Sequence, residues 1–218
     1  MARRLKRRLR LVFTCVVIIL TIIISANLII KTKYPIGYKD YINKYSKEYD
    51  IDPYLIASII NVESNFDVNA KSSKDARGLM QISPITAEWA AKELNLTNFT
   101  LESLYEPETN IKIGCWYLSV LTKEYDNNLE VILAAYNGGS GNVNKWLSDK
   151  KYSDDGKNLK EIPFKETAEY VKKVIKNCEM YEKIYKDNID DSDSADFQFI
   201  MLINNFKKVI KQYIFQNG

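Results

Sequence analysis

The most pronounced hydrophobic pattern lies near the start of the chain. Residues 11–30 carry no charge, and only Thr14, Thr21, Ser25 and Asn27 interrupt the apolar side chains. About 20 such residues are what an α-helix needs to cross a bilayer core of roughly 30 Å. A buried core helix is a poor alternative, because such helices seldom lack a polar face over this length. The pattern therefore predicts a transmembrane helix over residues 11–30.

The residues before this apolar segment indicate its orientation. Residues 1–10 include six basic side chains and no acidic one, and a basic flank of this kind stays in the cytoplasm. We therefore expect a basic cytoplasmic tail, a single-pass anchor in the cell membrane and an extracytoplasmic remainder. A cleaved signal peptide is the alternative, with a shorter apolar region and a small-residue cleavage site, for which Ser25-Ala26 is a weak candidate. The resumption of apolar residues at 28–30 favours the uncleaved anchor.

Beyond a short tether at 31–37, the apolar positions recur at three- and four-residue spacing without sustained strand alternation. Asp52 and Ser83 each precede a proline, which is the arrangement of an N-cap followed by proline at the first helical position. The predicted helices are 38–49, 53–64, 84–94, about 15 residues around 111–121, 129–136 ended by Gly138, and 163–185. Residues 149–160 read as a charged loop. The fold class is therefore mainly α, with one domain over residues 38–185.

The end of the chain, residues 186–218, has a different composition. Residues 187–196 are acidic and polar and predict a flexible linker. From residue 197 onwards, apolar residues form an amphipathic stripe beside three lysines, which predicts a C-terminal amphipathic helix. Such a stripe docks against a protein's own core more often than it binds a membrane, and we expect docking.

Composition excludes several classes of function. The chain has no histidine, which excludes Ser-His-Asp and Cys-His hydrolases and nearly all zinc-enzyme ligand sets. Outside the basic tail there are 25 basic and 28 acidic residues. The globular part therefore has no net positive charge that would attract nucleic acid. Cys15 belongs to the apolar segment. Cys115 and Cys178 either pair in an exported domain or remain buried thiols, and we expect thiols.

One carboxylate lies on the apolar side of a predicted helix. Ile56, Ile59, Ile60 and Glu63 share one face of helix 53–64 by their spacing. Desolvation there disfavours the ionised carboxylate and raises its pKa, which suits a residue that gives a proton to a leaving group and later takes one back. The alternative is an ordinary surface glutamate at a helix end, where the helix dipole already disfavours negative charge.

Several short motifs follow this glutamate in a fixed order. They are Glu63-Ser64 with Phe66, the loop residue Ser72, Gly78-Leu79-Met80-Gln81, the helix pattern Asn110, Ile111, Gly114, Tyr117 and Leu118, then Ala135-Tyr136-Asn137-Gly138-Gly139, and Glu166-Thr167-Ala168-Glu169-Tyr170-Val171. Together they resemble the pattern of the lytic transglycosylases of the soluble-lytic-transglycosylase type, a lysozyme-like family that acts on bacterial peptidoglycan. The resemblance covers about residues 38–185 and implies a lysozyme-like helical domain with an open groove.

The resemblance also implies roles for individual residues. Glu63 is then the single acid/base, and Tyr136 is the best candidate to orient it or the reacting sugar. Amides of the groove would suit N-acetyl groups, and Met80 would form an apolar wall. For Met80 and Tyr136, ordinary core packing is the alternative. The implied groove residues are Ser72, Met80, Gln81, Tyr136, Asn137, Glu166 and Tyr170.

The implied reaction uses one carboxylate, whereas most glycosidases use two. Asp67 is close in sequence but lies beyond the helix end, and no motif makes it a partner. Glu63 would protonate the bond between N-acetylmuramic acid and N-acetylglucosamine, and would then deprotonate the C6 hydroxyl to close a 1,6-anhydro ring. No metal or cofactor is expected. The expected partners are glycan strands and the membrane.

Two positions depart from the family pattern, and three other readings stay open. Asp75 stands where the family usually has glycine, and Ala168 replaces a common arginine. A hydrolytic muramidase would use water in place of the C6 hydroxyl. A non-catalytic wall-binding protein, or a component of a larger membrane assembly that opens the wall locally, would also fit an anchored chain.

Overall fold

The computed structural model describes residues 2–186 and 194–216. The chain forms two compact units, Ile36–Ser192 and the combination of Met1–Pro35 with Asp193–Gly218. The described residues are mainly helical and contain no strand, only isolated bridges at Lys71, Arg77 and Ile82, as predicted. The helices are α1 (Ala2–Lys33), α2 (Lys39–Tyr49), α3 (Pro53–Glu63), α4 (Pro84–Glu93), α5 (Pro107–Glu124), α6 (Leu129–Gly138), α7 (Ser140–Ser148), α8 (Lys165–Tyr185) and α9 (Ser194–Gln216).

The terminal unit consists of α1 and α9. Within α1, Leu9–Lys33 is long and apolar enough to cross a membrane, and its most apolar stretch is not buried. The helix includes part of the predicted tail and tether, because arginine, lysine and leucine all favour helix. Asn204 of α9 donates a hydrogen bond of 3.2 Å to the carbonyl of Thr32 in α1.

The docking of the α9 stripe against the core stays a prediction. Phe199, Leu202, Phe206 and Val209 are exposed, and Ile200 is buried. Helical spacing fixed which residues share a face, but it could not show what covers that face. Of the predicted linker, residues 187–193 lie outside the described residues, and 194–196 belong to α9.

In the larger unit, the predicted caps explain where helices begin. The Asp52 side chain accepts a hydrogen bond from the Tyr54 amide at 2.7 Å at the start of α3. Ser83 does the same for the Thr86 amide at the start of α4. Each cap satisfies an amide that the first helical turn leaves without a partner.

Other bounds differ from the prediction for local reasons. The left-handed glycine after α6 is Gly139, with φ +85°, so Gly138 remains helical. α8 begins at Lys165, two residues after Pro163. α7 was not predicted, because only Val143 and Trp146 of its nine residues are buried. Leu101–Tyr105 forms an unpredicted 3₁₀ turn.

The packing of this unit positions the site. α8 packs against both α3 and α6, while α5 packs against α2, α4 and α6. The C-terminal end of α3, the segment 64–83 that follows it and α6 are therefore held against α5 and α8. Cys115 and Cys178 are free thiols, as expected, and Cys115 is buried. The largest fully buried side chains include Ile56, Ile59, Ile60, Phe66, Leu79, Met80, Leu104, Ile111, Ile113, Leu118 and Tyr181.

Candidate active site

Glu63 is the last residue of α3 and follows a run of buried residues that ends with Ile60. Its side chain is half-buried, and this desolvation raises the pKa of the carboxyl from 4.5 to about 7. Interactions with the Tyr170 hydroxyl and the Lys173 ammonium lower this pKa in part, and the nearby Glu166 carboxylate raises it. The carboxyl is therefore poised to exchange a proton near neutral pH.

Two tyrosines lie around the carboxyl and use their hydroxyls differently. Tyr136 donates a hydrogen bond of 2.9 Å to the Met80 carbonyl, so its proton is not directed at Glu63. The other expected role of Tyr136, to orient the reacting sugar, stays a prediction. The Tyr170 hydroxyl is close enough to Glu63 to lower the pKa of that carboxyl, yet it is buried without a fully formed hydrogen bond among the described residues. Burial also raises the pKa of both phenols well above 10.

Asn110 fixes the turn Gly78-Leu79-Met80-Gln81 beside the carboxyl. Its side-chain oxygen accepts from the Met80 amide at 2.8 Å, and its nitrogen donates to the carbonyls of Arg77 at 2.9 Å and Leu104 at 2.7 Å. Asn110 is fully buried, so these three bonds satisfy groups that water does not reach. One side chain of α5 therefore holds the turn in place.

The same turn is tied to both neighbouring helices. Ser64, directly after Glu63, donates a hydrogen bond of 2.8 Å to the Leu79 carbonyl, and Tyr136 of α6 binds the next carbonyl, that of Met80. These two hydrogen bonds hold the turn between the carboxyl-bearing end of α3 and α6.

Two glycines allow close packing here. Gly78 has φ +74°, and a Cβ on it would lie 2.1 Å from the Leu104 carbonyl oxygen. A Cβ on Gly114 of α5 would lie 2.3 Å from the Met80 sulfur. Gly78 therefore needs glycine, because it would meet backbone and has a positive φ, whereas a Cβ at Gly114 would force the Met80 side chain to shift.

The chain reverses direction directly after Glu63 through strained backbone. Asn65 and Phe66 are consecutive non-glycine residues with φ of +51° and +63°. Such conformations cost of order 1–3 kcal/mol each and are held by their surroundings; the Phe66 side chain is buried. Strain of this kind is concentrated at functional sites.

Asp75 takes the left-handed conformation that its replacement of glycine requires, with φ +64°. Its carboxylate pairs with Arg77 at 3.1 Å and with Lys71 at 2.9 Å, and these two partners lower its pKa to about 2. Arg77 also binds Glu102 at 2.7 Å. Asp75 therefore links Lys71 and Arg77 by ion pairs within the loop.

The other predicted groove residues divide into two groups. Ser72 and Gln81 stabilise the loop itself: the Ser72 hydroxyl accepts from the Lys74 and Ala76 amides, and the Gln81 nitrogen donates to the Ala70 and Gly78 carbonyls. The amide nitrogen of Gln81 is thus occupied within the loop.

Asn137 and Glu166 are exposed. The Asn137 oxygen accepts from the Thr167 hydroxyl at 2.9 Å, which joins α6 to the first turn of α8. Lys173 was missed, although it follows Tyr170 by three residues on α8 and so lies on the same face. That spacing is the signal that could have found it.

Known proteins are similar to this chain in sequence. Residues 40–159 match the family described as the transglycosylase SLT domain. The soluble lytic murein transglycosylase of Salmonella typhimurium is 36% identical over 148 residues, 67% of this chain and 23% of that protein. The membrane-bound lytic murein transglycosylase C of Edwardsiella ictaluri is 32% identical over 130 residues, 52% of this chain and 34% of that protein.

A solved structure is also similar. It is the lytic transglycosylase Slt from Pseudomonas aeruginosa, as an inactive glutamate-to-glutamine mutant, with a TM-score of 0.62 and 28% identity over 70% of this chain and 25% of that one. The chain thus spans about a quarter of the length of the first relatives that it matches. On its sequence and its fold, this chain belongs to the transglycosylase SLT domain family.

Proposed function

We propose that this protein is a membrane-anchored peptidoglycan lytic transglycosylase in which Glu63 is the single acid/base. The observation that carries the proposal is the desolvated carboxyl of Glu63, whose pKa of about 7 keeps a large share of it protonated at neutral pH. An ordinary glutamate would be almost fully ionised there and could not act as a general acid. The inactive glutamate-to-glutamine mutant of the Pseudomonas aeruginosa protein supports such a dependence on one glutamate.

The chemistry follows from one proton moving in both directions. Glu63 gives its proton to the glycosidic oxygen between N-acetylmuramic acid and N-acetylglucosamine, and the C1–O bond breaks. The acetamido group of the substrate relieves the charge at C1. The C6 oxygen then bonds to C1, and its proton returns to Glu63. The product ends in a 1,6-anhydro ring, and no water is consumed.

The neighbouring residues allow this carboxyl to lose its proton and to take one back. Lys173 and Tyr170 stabilise the carboxylate that exists between the two proton transfers, because both lower the pKa of Glu63. Asn110 and Tyr136 hold the Met80 turn beside it. Asn137 is an exposed residue whose oxygen accepts a hydrogen bond from Thr167, and in this proposal its amide nitrogen donates to an acetamido carbonyl.

A hydrolytic muramidase is the second candidate, and one observation favours it. Glu166 is near enough to Glu63 to raise the pKa of that carboxyl, and a second carboxylate can activate water in inverting glycosidases. Glu166→Gln distinguishes the two reactions: a lytic transglycosylase keeps its turnover, whereas a hydrolase that uses Glu166 as base loses at least about 100-fold.

The direct test of the proposed function uses purified peptidoglycan and the full chain in mild detergent. The wild type should release soluble muropeptides, and Glu63→Gln should release none while its circular dichroism spectrum is unchanged. Retained activity in Glu63→Gln would remove this residue from the role.

For the membrane, we propose a single pass through Leu9–Lys33 with the basic flank in the cytoplasm. The 25-residue length, the apolar composition and the lack of burial of its most apolar stretch support the span, and the five basic residues among 1–8 support the orientation. Added protease should then digest the Ile36–Ser192 unit in intact protoplasts. Protection of this unit until the membrane is permeabilised would reverse the orientation.

A further inference from the structure

A row of aromatic side chains leads away from the candidate active site. Tyr136 packs on Tyr117 with ring centroids 5.6 Å apart. Tyr117 in turn meets Trp89 of α4 at 6.3 Å, and Trp116 meets the same indole at 4.8 Å. Both contacts to Trp89 are edge-to-face, with interplanar angles of 77° and 75°. The row therefore crosses from α6 over α5 to α4.

The outer end of this row faces water. Trp89 is 44% exposed, and Ile85, one helical turn earlier on α4, is 83% exposed. Residues four apart lie side by side on a helix, so the two make one apolar surface. An indole is large and usually mostly buried, whereas Trp89 is fixed in place by two other rings and left accessible. A fixed, accessible aromatic ring is a preorganised binding surface, because little side-chain freedom is lost on binding.

The chain and the row of rings both link this surface to the candidate active site. α4, the helix that carries Trp89, begins at Pro84, only three residues after the turn Gly78-Leu79-Met80-Gln81 ends. The inner end of the row, Tyr136, binds the Met80 carbonyl and senses the charge of Glu63. The row of contacting rings therefore connects the neighbourhood of Glu63 to the exposed ring of Trp89.

We propose that Trp89, with Ile85 beside it, forms a sugar-binding subsite for the part of the glycan strand that extends beyond the scissile bond. The proposal rests on the proposed function, because it takes the strand as the substrate. A pyranose ring presents a face of C–H groups, and the electron-rich face of an indole attracts such groups. None of the side chains in the row carries a charge, which suits an uncharged sugar ring better than a charged peptide stem.

The test compares Trp89→Ala, Trp89→Leu and Trp89→Phe in the full chain, with glycan strands from which the peptide stems have been removed. We expect KM to rise about fivefold in Trp89→Ala and Trp89→Leu with kcat nearly unchanged, and Trp89→Phe to restore most of the loss. Leucine keeps apolar volume without a ring, so it separates ring stacking from general hydrophobic contact. Unchanged thermal midpoints would show that the variants are folded.

Each other outcome overturns the subsite. A defect that appears with intact peptidoglycan but disappears on peptide-free strands would assign Trp89 to the stem. Equal KM values for wild type and Trp89→Ala would leave the ring without a role in binding, and a loss in kcat alone would make it structural. The proposed function fails separately, if the wild type itself releases no product from either substrate.

Discussion

Replacing Glu63 with glutamine should stabilise the fold in alkaline solution, although it abolishes the proposed activity. Burial raises the pKa of this carboxyl from 4.5 to about 7, so the folded state binds its proton more tightly than the unfolded state. The stability that this proton contributes is fully present below pH 4.5 and is lost progressively as the pH rises to about 7. A shift of this size corresponds to about 3 kcal/mol of unfolding free energy.

Glutamine is nearly isosteric with glutamic acid and does not ionise, so Glu63→Gln avoids this loss. The advantage of the variant over wild type should be smallest at pH 4 and should grow to about 3 kcal/mol at pH 8. Urea unfolding of the full chain in detergent measures it through tryptophan fluorescence, because all three tryptophans lie within the Ile36–Ser192 unit.

The decisive quantity is how the difference in unfolding free energy between Glu63→Gln and wild type changes from pH 4 to pH 8. Differences in packing or hydrogen bonding that do not depend on pH contribute equally at both values and cancel. Glu93→Gln, at an exposed position at the end of α4, is the matched control and should give a nearly constant difference. If the advantage of Glu63→Gln is the same at pH 4 and pH 8, the carboxyl is not desolvated and the reasoning is refuted.

Three other substitutions test the surroundings of this carboxyl. Tyr170→Phe removes a buried hydroxyl that has no fully formed hydrogen bond, so stability should hold or rise by about 1 kcal/mol. The same change should shift the alkaline limb of the pH–rate profile upwards, because the hydroxyl lowers the pKa of Glu63; an unmoved limb would contradict this. Asn110→Ala leaves the Met80 amide and two carbonyls without partners and should cost about 3 kcal/mol in urea unfolding, whereas a cost below 1 kcal/mol would show that the turn holds without it. Gly114→Ala places a methyl group against the Met80 sulfur and should cost about 1–3 kcal/mol together with much of the activity; wild-type stability and turnover would show that the turn yields freely.

Much of the fold could be predicted because periodicity and caps are local. Asp52-Pro53 and Ser83-Pro84 mark the starts of α3 and α4, and the spacing of Ile56, Ile60 and Glu63 places the carboxyl on the apolar side of its helix. These inferences use only residues that are close in sequence. α7 was not predicted, because its two buried residues, Val143 and Trp146, are too few to show a helical hydrophobic period in the sequence.

The arrangement around the carboxyl could not be predicted in the same way. Asn110 and Met80 are 30 residues apart, and Tyr136 and Met80 are 56 apart. Motif order indicated that these residues belong to one site, but it could not show which hydroxyl faces Glu63. Hydrogen bonds over such separations depend on how helices pack, and this is why the sequence could not show that Tyr136 binds the Met80 carbonyl or that Tyr170 lies near Glu63.

The most direct test of the central claim is digestion of purified peptidoglycan in ¹⁸O-labelled water, followed by mass spectrometry of the products. If Glu63 acts alone and the C6 hydroxyl closes the ring, every new N-acetylmuramic acid end is a 1,6-anhydro sugar, and no product contains the label. Products that are heavier by one molecule of labelled water would show that water attacks C1, and would contradict the account.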